Sequence, residues 1–197
     1  MARPKGTTRA KKPILKADYE KLMLRISESL DVRSSTKVKL KRAFTLLYLT
    51  GCRISEISKL HANDIKEMIE ANEYSLTNQT KMKKPRLITF DTQHLQKEIL
   101  ISMLPEDDVY LFARNNSNEP MTASALTTLA NQSIHKILGT FYSTHSFRAG
   151  YITIAHQSQL SLEHIREDMG HKNIATTARY ATVTTAEISH GKTKREW

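Results

Sequence analysis

Arg53, His145, Arg148, His171 and Tyr180 are the side chains of this sequence whose types and order suit chemistry on a phosphate. Guanidinium groups are planar, always charged and able to bond two oxygens of an anion each. Arg53 stands just behind Gly51 in the stretch TGCRISEISKL, residues 50–60. There it joins free backbone N–H groups at the start of a short helix, a good place for an anion. His145 and Arg148, in THSFR, are three residues apart and share one face of a helix. His171 sits in the turn after Gly170, and Tyr180 follows nine residues on, in MGHKNIATTARY. A phenol has an ordinary pKa of about 10 and needs a proton acceptor before it attacks anything. Taken singly, each group also has an ordinary reading: a surface arginine, an exposed polar pair, a half-buried tyrosine. A further cationic run, TKMKKPR, holds Lys81, Lys83, Lys84 and Arg86 between two strand-like segments. It reads either as a solvated turn or as a lysine-tipped hairpin that reaches a DNA groove.

The elements that position these groups are mostly helices. Tyr19, Leu22, Met23, Ile26 and Leu30 have helical spacing over 18–30. A second helix, capped by Ser34 or Ser35, runs to about Thr50, where Gly51 offers a stop. A short helix follows from Ile54 to Leu60. Ile65–Ile69, Tyr74–Thr77 and Arg86–Phe90 are short, partly alternating runs that read as a small antiparallel sheet of three strands. Helices return over 91–104 and 122–138, with Thr122 as an N-cap. Residues 105–121 form a loop around VYLFAR. Thr144 caps the helix with His145 and Arg148, Ser161 caps the next as far as Gly170, and Asn173 opens a last short one ending near Tyr180. The expected fold is mainly α with a small three-stranded antiparallel sheet.

The 197 residues suit one domain or a domain plus an arm, and 39% apolar residues are enough for a packed core. Thirty Lys and Arg against 20 Asp and Glu leave a net charge of +10. That favours a polyanion, nucleic acid before an anionic membrane. No apolar run approaches the roughly 20 residues of a membrane span. One cysteine, Cys52, excludes an intrachain disulfide and fits a reducing compartment, here expected to be the cytoplasm and its nucleoid. The domain plan is a basic arm over 1–16, a catalytic domain over 17–183 and a tail over 184–197.

The order of these motifs resembles that of the catalytic domain of tyrosine recombinases, the phage-integrase family, over roughly residues 14–190. TGCRISEI is similar to the family's T-G-x-R-x-S-E-L box, THSFR to its His-x-x-Arg box, and MGHKNIATTARYA to its L-G-H-x-x-x-x-T-x-x-Y segment, with Thr176 and Thr177 paired as in the family. The resemblance implies that Arg53 and Arg148 bind the scissile phosphate, that His145 and His171 complete the pocket, and that Tyr180 is the nucleophile. It makes Glu56 the supporting acid and Lys81 the hairpin lysine, counted back from the strand RLITF. Lys83, Lys84, Arg86 and Lys172 are expected to contact DNA. The sequence departs from the family in three places. Ala149 stands where many relatives have a second histidine, Thr80 and Met82 replace the hairpin glycines, and only 52 residues precede Arg53. The chain is therefore either a catalytic-domain fragment or a short recombinase like those of fimbrial phase inversion.

The implied reaction is DNA strand cleavage and transfer through a 3′-phosphotyrosyl bond, which stores the energy of the phosphodiester. It calls for no cofactor and no metal, because the arginines supply the positive charge. The implied partners are double-stranded DNA, three further copies of the chain in a tetramer on two sites, and DNA-bending accessory proteins. TTAEISH, residues 184–190, is the expected subunit-docking segment. Three other readings stand beside this one. They are a binding-only regulator, in which LSLEHIREDMGHKNIATTARYA acts as a helix-turn-helix, a nicking and resealing enzyme like the type IB topoisomerases, and a catalytically weak accessory derivative.

Overall fold

A computed structural model gives the fold and describes residues 11–76, 85–89, 100–114 and 117–178. The first helix, α1 (Lys16–Glu28), buries Tyr19, Leu22 and Ile26, the i, i+3, i+7 positions of one face. Its start is held by the Leu15 N–H, which donates to the Asp18 carboxylate at 3.4 Å. The next, α2 (Ser34–Thr50), is buried at every position from Ala43 to Leu47, so it runs through the core rather than along it. Arg33, not Ser34 or Ser35, occupies its N-cap position, and no side chain caps it. Gly51 ends α2 as the sequence predicts. Its φ of 59° is left-handed, and its N–H bonds the Leu47 carbonyl at 3.1 Å.

Two short helices follow, α3 (Ile54–Ile57) and α4 (Ala62–Ala71). The expected strand at 65–69 lies inside α4, which corrects the three-stranded sheet. Ile65, Met68 and Ile69 are apolar at i, i+3 and i+4, and Ile65 and Met68 point into the core. Helix wins there because Asp64, in the first turn, accepts the His61 N–H at 2.7 Å, and because Asn72 adopts the left-handed conformation that closes the helix. Among the described residues the sheet has two strands, β1 (Glu73–Leu76) and β2 (Arg86–Thr89), with Tyr74 opposite Ile88 and Leu76 opposite Arg86. Tyr74 donates its hydroxyl to the other oxygen of Asp64 at 2.7 Å, tying β1 to the start of α4.

Of the helix expected over 91–104, residues 91–99 lie outside the described residues, Leu100 and Ile101 are helical, and 102–104 leave the helix in a turn. The loop after it is anchored by Leu111 and Phe112, both buried, and by backbone bonds between Leu111 and Leu60 and between Ala62 and Val109. Arg42, from α2, donates to the carbonyls of Met103 and Leu111 and so ties that loop to the core helix. Thr122 caps α5 (Ala123–Leu138), its hydroxyl accepting from the Ala125 N–H at 3.2 Å. Helix α6 (Thr144–Gln157) carries THSFR. Thr144 is its first residue rather than its cap, and the Ser143 N–H bonds the Ser146 hydroxyl one step before it.

Two compact units divide after Tyr151. The first is built on a core that includes Leu22, Leu40, Phe44, Phe112, Ile134 and Phe147, with the Phe44 and Phe147 rings 5.3 Å apart. Residues 11–15 belong to it. Ile14 is buried, its N–H donates to the Ser146 carbonyl at 2.9 Å, and its own carbonyl passes so close to Gly150 that a Cβ there would lie 2.0 Å away. The second unit holds α7 (Leu162–Asp168) and α8 (Ile174–Ala178), with Ile165 and Met169 buried. Ser161 caps α7 through its hydroxyl, Gly170 takes a φ of 59° after it, and the Asn173 carboxamide accepts the Ala175 N–H at 2.8 Å to open α8.

Candidate active site

The turn Gly51–Cys52–Arg53, between α2 and α3, is where the first unit gathers its cations. Gly51 and Cys52 each meet a guanidinium from another element, and Arg53 supplies a third. Arg148, on α6, donates Nη1 to the Gly51 carbonyl at 3.0 Å across 97 residues of sequence. Arg86, on β2, places Nη2 3.0 Å from Cys52 Sγ and 3.0 Å from Glu56 Oε2. Arg53 donates its own N–H to Glu56 Oε2 at 2.7 Å and its Nη1 to Oε1 at 2.8 Å. One carboxylate, almost wholly buried, is therefore shared by Arg53 and Arg86.

Exposure separates the three arginines. Arg86 and Arg148 are 7% and 6% exposed, whereas the Arg53 side chain is 37% exposed. Arg53 thus presents its charge outward, while its orientation is set from below by Glu56. Burial pushes the Arg148 pKa down to about 10, with the charges of Arg53 and Arg86 adding to that, and Glu56 opposes the shift. The group remains a cation at neutral pH. Cationic side chains crowded at this density around one acid leave an unbalanced positive charge, the condition for holding an anion.

His145 stands at the second position of α6, exposed, three residues before Arg148. Its pKa is lowered by partial desolvation first, then by the charges of Arg148, Arg53 and Lys11. The arginine pair and His145 therefore lie within electrostatic reach of one another. That shift favours the neutral imidazole, the form that accepts a proton.

In the second unit, His171 is 9% exposed, and its Nδ1 lies 2.9 Å from the hydroxyl of Thr177, itself fully buried. The His171 backbone is fastened at both ends to Arg166, through its N–H at 2.9 Å and its carbonyl at 3.1 Å. Lys172 is exposed beside it. Tyr180, Lys81, Lys83 and Lys84 lie outside the described residues, as does the tail at 184–190.

Arg86 differs from its expected place on the DNA-contacting hairpin, because the structure buries it against Glu56 and Cys52. The signal for this lies in the strand's period of two. Arg86 and Ile88 are buried and Leu87 and Thr89 exposed, so the arginine shares the inner face with the isoleucine. Thr177 was legible only as part of a motif, and its bond to His171 depends on the turn that Gly170 and Asn173 make. Among the described residues no group of three or more His, Cys, Asp or Glu could hold a metal ion, and no helix is long and apolar enough to cross a membrane.

Solved structures share this fold. The XerA recombinase superposes with a TM-score of 0.66 at 16% identity, over 100% of this chain and 68% of that one. The XerH site-specific recombinase bound to difH substrate in a pre-cleavage complex superposes at 0.65 and 18%, over 100% of this chain and 58% of that one. A Tn1549 transposon integrase in complex with a circular intermediate DNA gives 0.66 and 20%, over 98% and 68%. The chain belongs to the phage integrase family, whose profile matches residues 13–187. Among curated proteins it is 24% identical over 182 residues to the tyrosine recombinase XerC of Bacillus subtilis, and 23% identical over 176 residues to that of Proteus mirabilis. Those matches take in 87% and 85% of this chain, and the chain spans 58% and 57% of the relatives' length.

Proposed function

We propose that the chain is a site-specific DNA recombinase that cleaves and rejoins strands through a covalent 3′-phosphotyrosyl intermediate. The observation that carries this reading is the turn at Gly51–Arg53. There, Arg53 of the turn, Arg86 from β2 and Arg148 from α6 bring three guanidiniums to a single backbone bend, Glu56 of α3 pairs with the first two, and His145 lies within their electrostatic reach with its pKa lowered.

Each residue has a role in that reaction. Arg53 and Arg148 neutralise the non-bridging oxygens as charge builds on them in the transition state. Glu56 fixes the Arg53 fork. The phenolic oxygen of Tyr180 forms a bond to phosphorus, its proton passing to His145, while the bond from phosphorus to the 5′ oxygen breaks. Lys81 delivers a proton to that departing oxygen. His171, its ring fixed by Thr177, donates a hydrogen bond to the phosphate. Attack by a 5′-hydroxyl from another strand reverses the step without a nucleotide cofactor, because the phosphotyrosyl bond keeps the energy of the one broken. Lys83, Lys84 and Lys172 contribute contacts to the DNA backbone, and a tetramer on two duplexes, joined through residues 184–190, exchanges the strands.

The test is direct. Duplexes that the protein retains from a random-sequence pool are synthesised with a nick in the bound sequence, so that a cleaved strand loses its end and cannot be resealed. Incubation followed by a denaturing gel is expected to show a slow-migrating protein–DNA adduct that disappears with Tyr180→Phe. Retardation on native gels with no adduct would assign the chain to a binding-only regulator instead.

A further inference from the structure

We propose, resting on the recombinase reading above, that Arg86 is a positioning residue for Arg53, acting through Glu56 to keep the phosphate-facing guanidinium aligned and its charge only partly offset. The geometry carries the point. Arg53 reaches Glu56 twice, through its backbone N–H to Oε2 at 2.7 Å and through Nη1 to Oε1 at 2.8 Å. A carboxylate held only by these two bonds would be a private partner of Arg53. It would draw the fork inward and cancel its charge. Arg86 changes that balance by donating Nη2 to Oε2, the oxygen that also accepts the Arg53 N–H, at 3.0 Å. One negative charge is then divided between two guanidiniums, and Arg53 keeps a surplus for an incoming phosphate.

The placement of Arg86 fits this role better than a DNA contact. It is buried, its neighbour across the sheet is Leu76, and the same Nη2 also meets Cys52 Sγ, one residue before Arg53. Arg86 thus touches the turn and the acid that orients the turn's arginine at once. A buried carboxylate stripped of one of its partners gains freedom to move, and a guanidinium fork displaced by a fraction of an ångström loses its alignment with the phosphate oxygens. Arg86 itself does not touch the reacting atoms. Its effect belongs on the rate of cleavage by bound protein rather than on affinity for DNA.

The experiment compares the whole 197-residue chain with Arg86→Gln and Arg86→Lys on the nicked duplex described above. Adduct formation is followed in a single turnover at saturating DNA, and Kd is measured separately. Arg86→Gln is expected to slow cleavage at least about tenfold with Kd changed by less than about twofold, and Arg86→Lys, which restores a cation to Oε2, to recover most of that rate. Arg86→Met fills the buried space without the charge and replaces the glutamine variant if that one fails to fold; the same loss is expected of it. A wild-type rate in the uncharged variant, or equal losses in the glutamine and lysine variants, overturns the inference while leaving the recombinase reading intact. A wild-type chain that forms no adduct overturns both.

Discussion

His145 shows how one side chain can be tuned by neighbours that have other work to do. A proton acceptor for a phenol must be neutral, and an ordinary histidine is half protonated near pH 6.5. Partial desolvation and the charges of Arg148, Arg53 and Lys11 all act against the proton, so the folded pKa lies below that value. The sign follows. The unfolded chain binds this proton more readily than the folded one, so the group weakens folding as pH drops below about 6.5, and the penalty is complete below the folded pKa. The base form, conversely, predominates already below pH 6.5. The expected pH profile of adduct formation therefore has an acidic limb with its midpoint under 6.5, and His145→Gln removes that limb along with most of the rate. A limb that rises only above pH 7 would deny His145 this role. Arg53, His145 and Arg148 were legible as candidates from residue type and spacing. The contact of Arg86 with Glu56 was not, because a lysine-rich run conceals that one of its cations faces a buried acid 30 residues away in sequence.

Among the elements, α6 is the one the site depends on most, since it carries both His145 and Arg148 and presses Phe147 into the core between them. Its first two turns are braced by residues 11–15, where the Ile14 N–H bonds the Ser146 carbonyl and the Ile14 carbonyl lies against Gly150. Only the missing side chain at position 150 permits that approach. Gly150→Ala sets a methyl 2.0 Å from the Ile14 carbonyl oxygen, and backbone cannot yield as a side-chain end does. The expected cost is about 1–3 kcal/mol, typical of overpacking. Thermal unfolding should show it as a Tm several degrees lower. An unchanged Tm would mean that 11–15 does not hold α6 in solution. Element boundaries were readable at Gly51, Thr122, Ser161 and Gly170, where a cap or stop announced them, but not at Ser34, Ser35 or Thr144, which start their helices or lie within them rather than cap them. The segment 65–69 was misread because three apolar residues in five satisfy a strand's partial alternation and a helix's i, i+3, i+4 equally well. The deciding contact, the Asp64 carboxylate on the His61 N–H, falls before the segment begins.

At the scale of the molecule, charge and fold make separate contributions to binding. The fold concentrates arginines at one bend, but the surplus of +10 is spread along the chain, and residues 1–10 contribute Arg3, Lys5 and Arg9 without an acid. Cations that neutralise DNA phosphates release counterions, and the slope of log K against log salt falls by about 0.9 for each phosphate neutralised. Deleting residues 1–10 while keeping 11–15, which pack on α6, separates the two contributions. If the arm lies on DNA, the slope becomes shallower by up to ~2.7, three phosphates at about 0.9 each, and affinity drops most at low salt. The single-turnover cleavage rate at saturating DNA is expected to stay close to that of the full chain, because Glu56 holds Arg53 and Arg86, and the Gly51 carbonyl holds Arg148, through contacts that involve none of the deleted residues. An unaltered slope, measured by fluorescence anisotropy from low to physiological salt, would assign DNA binding to the folded surface alone and leave the arm with no part in it.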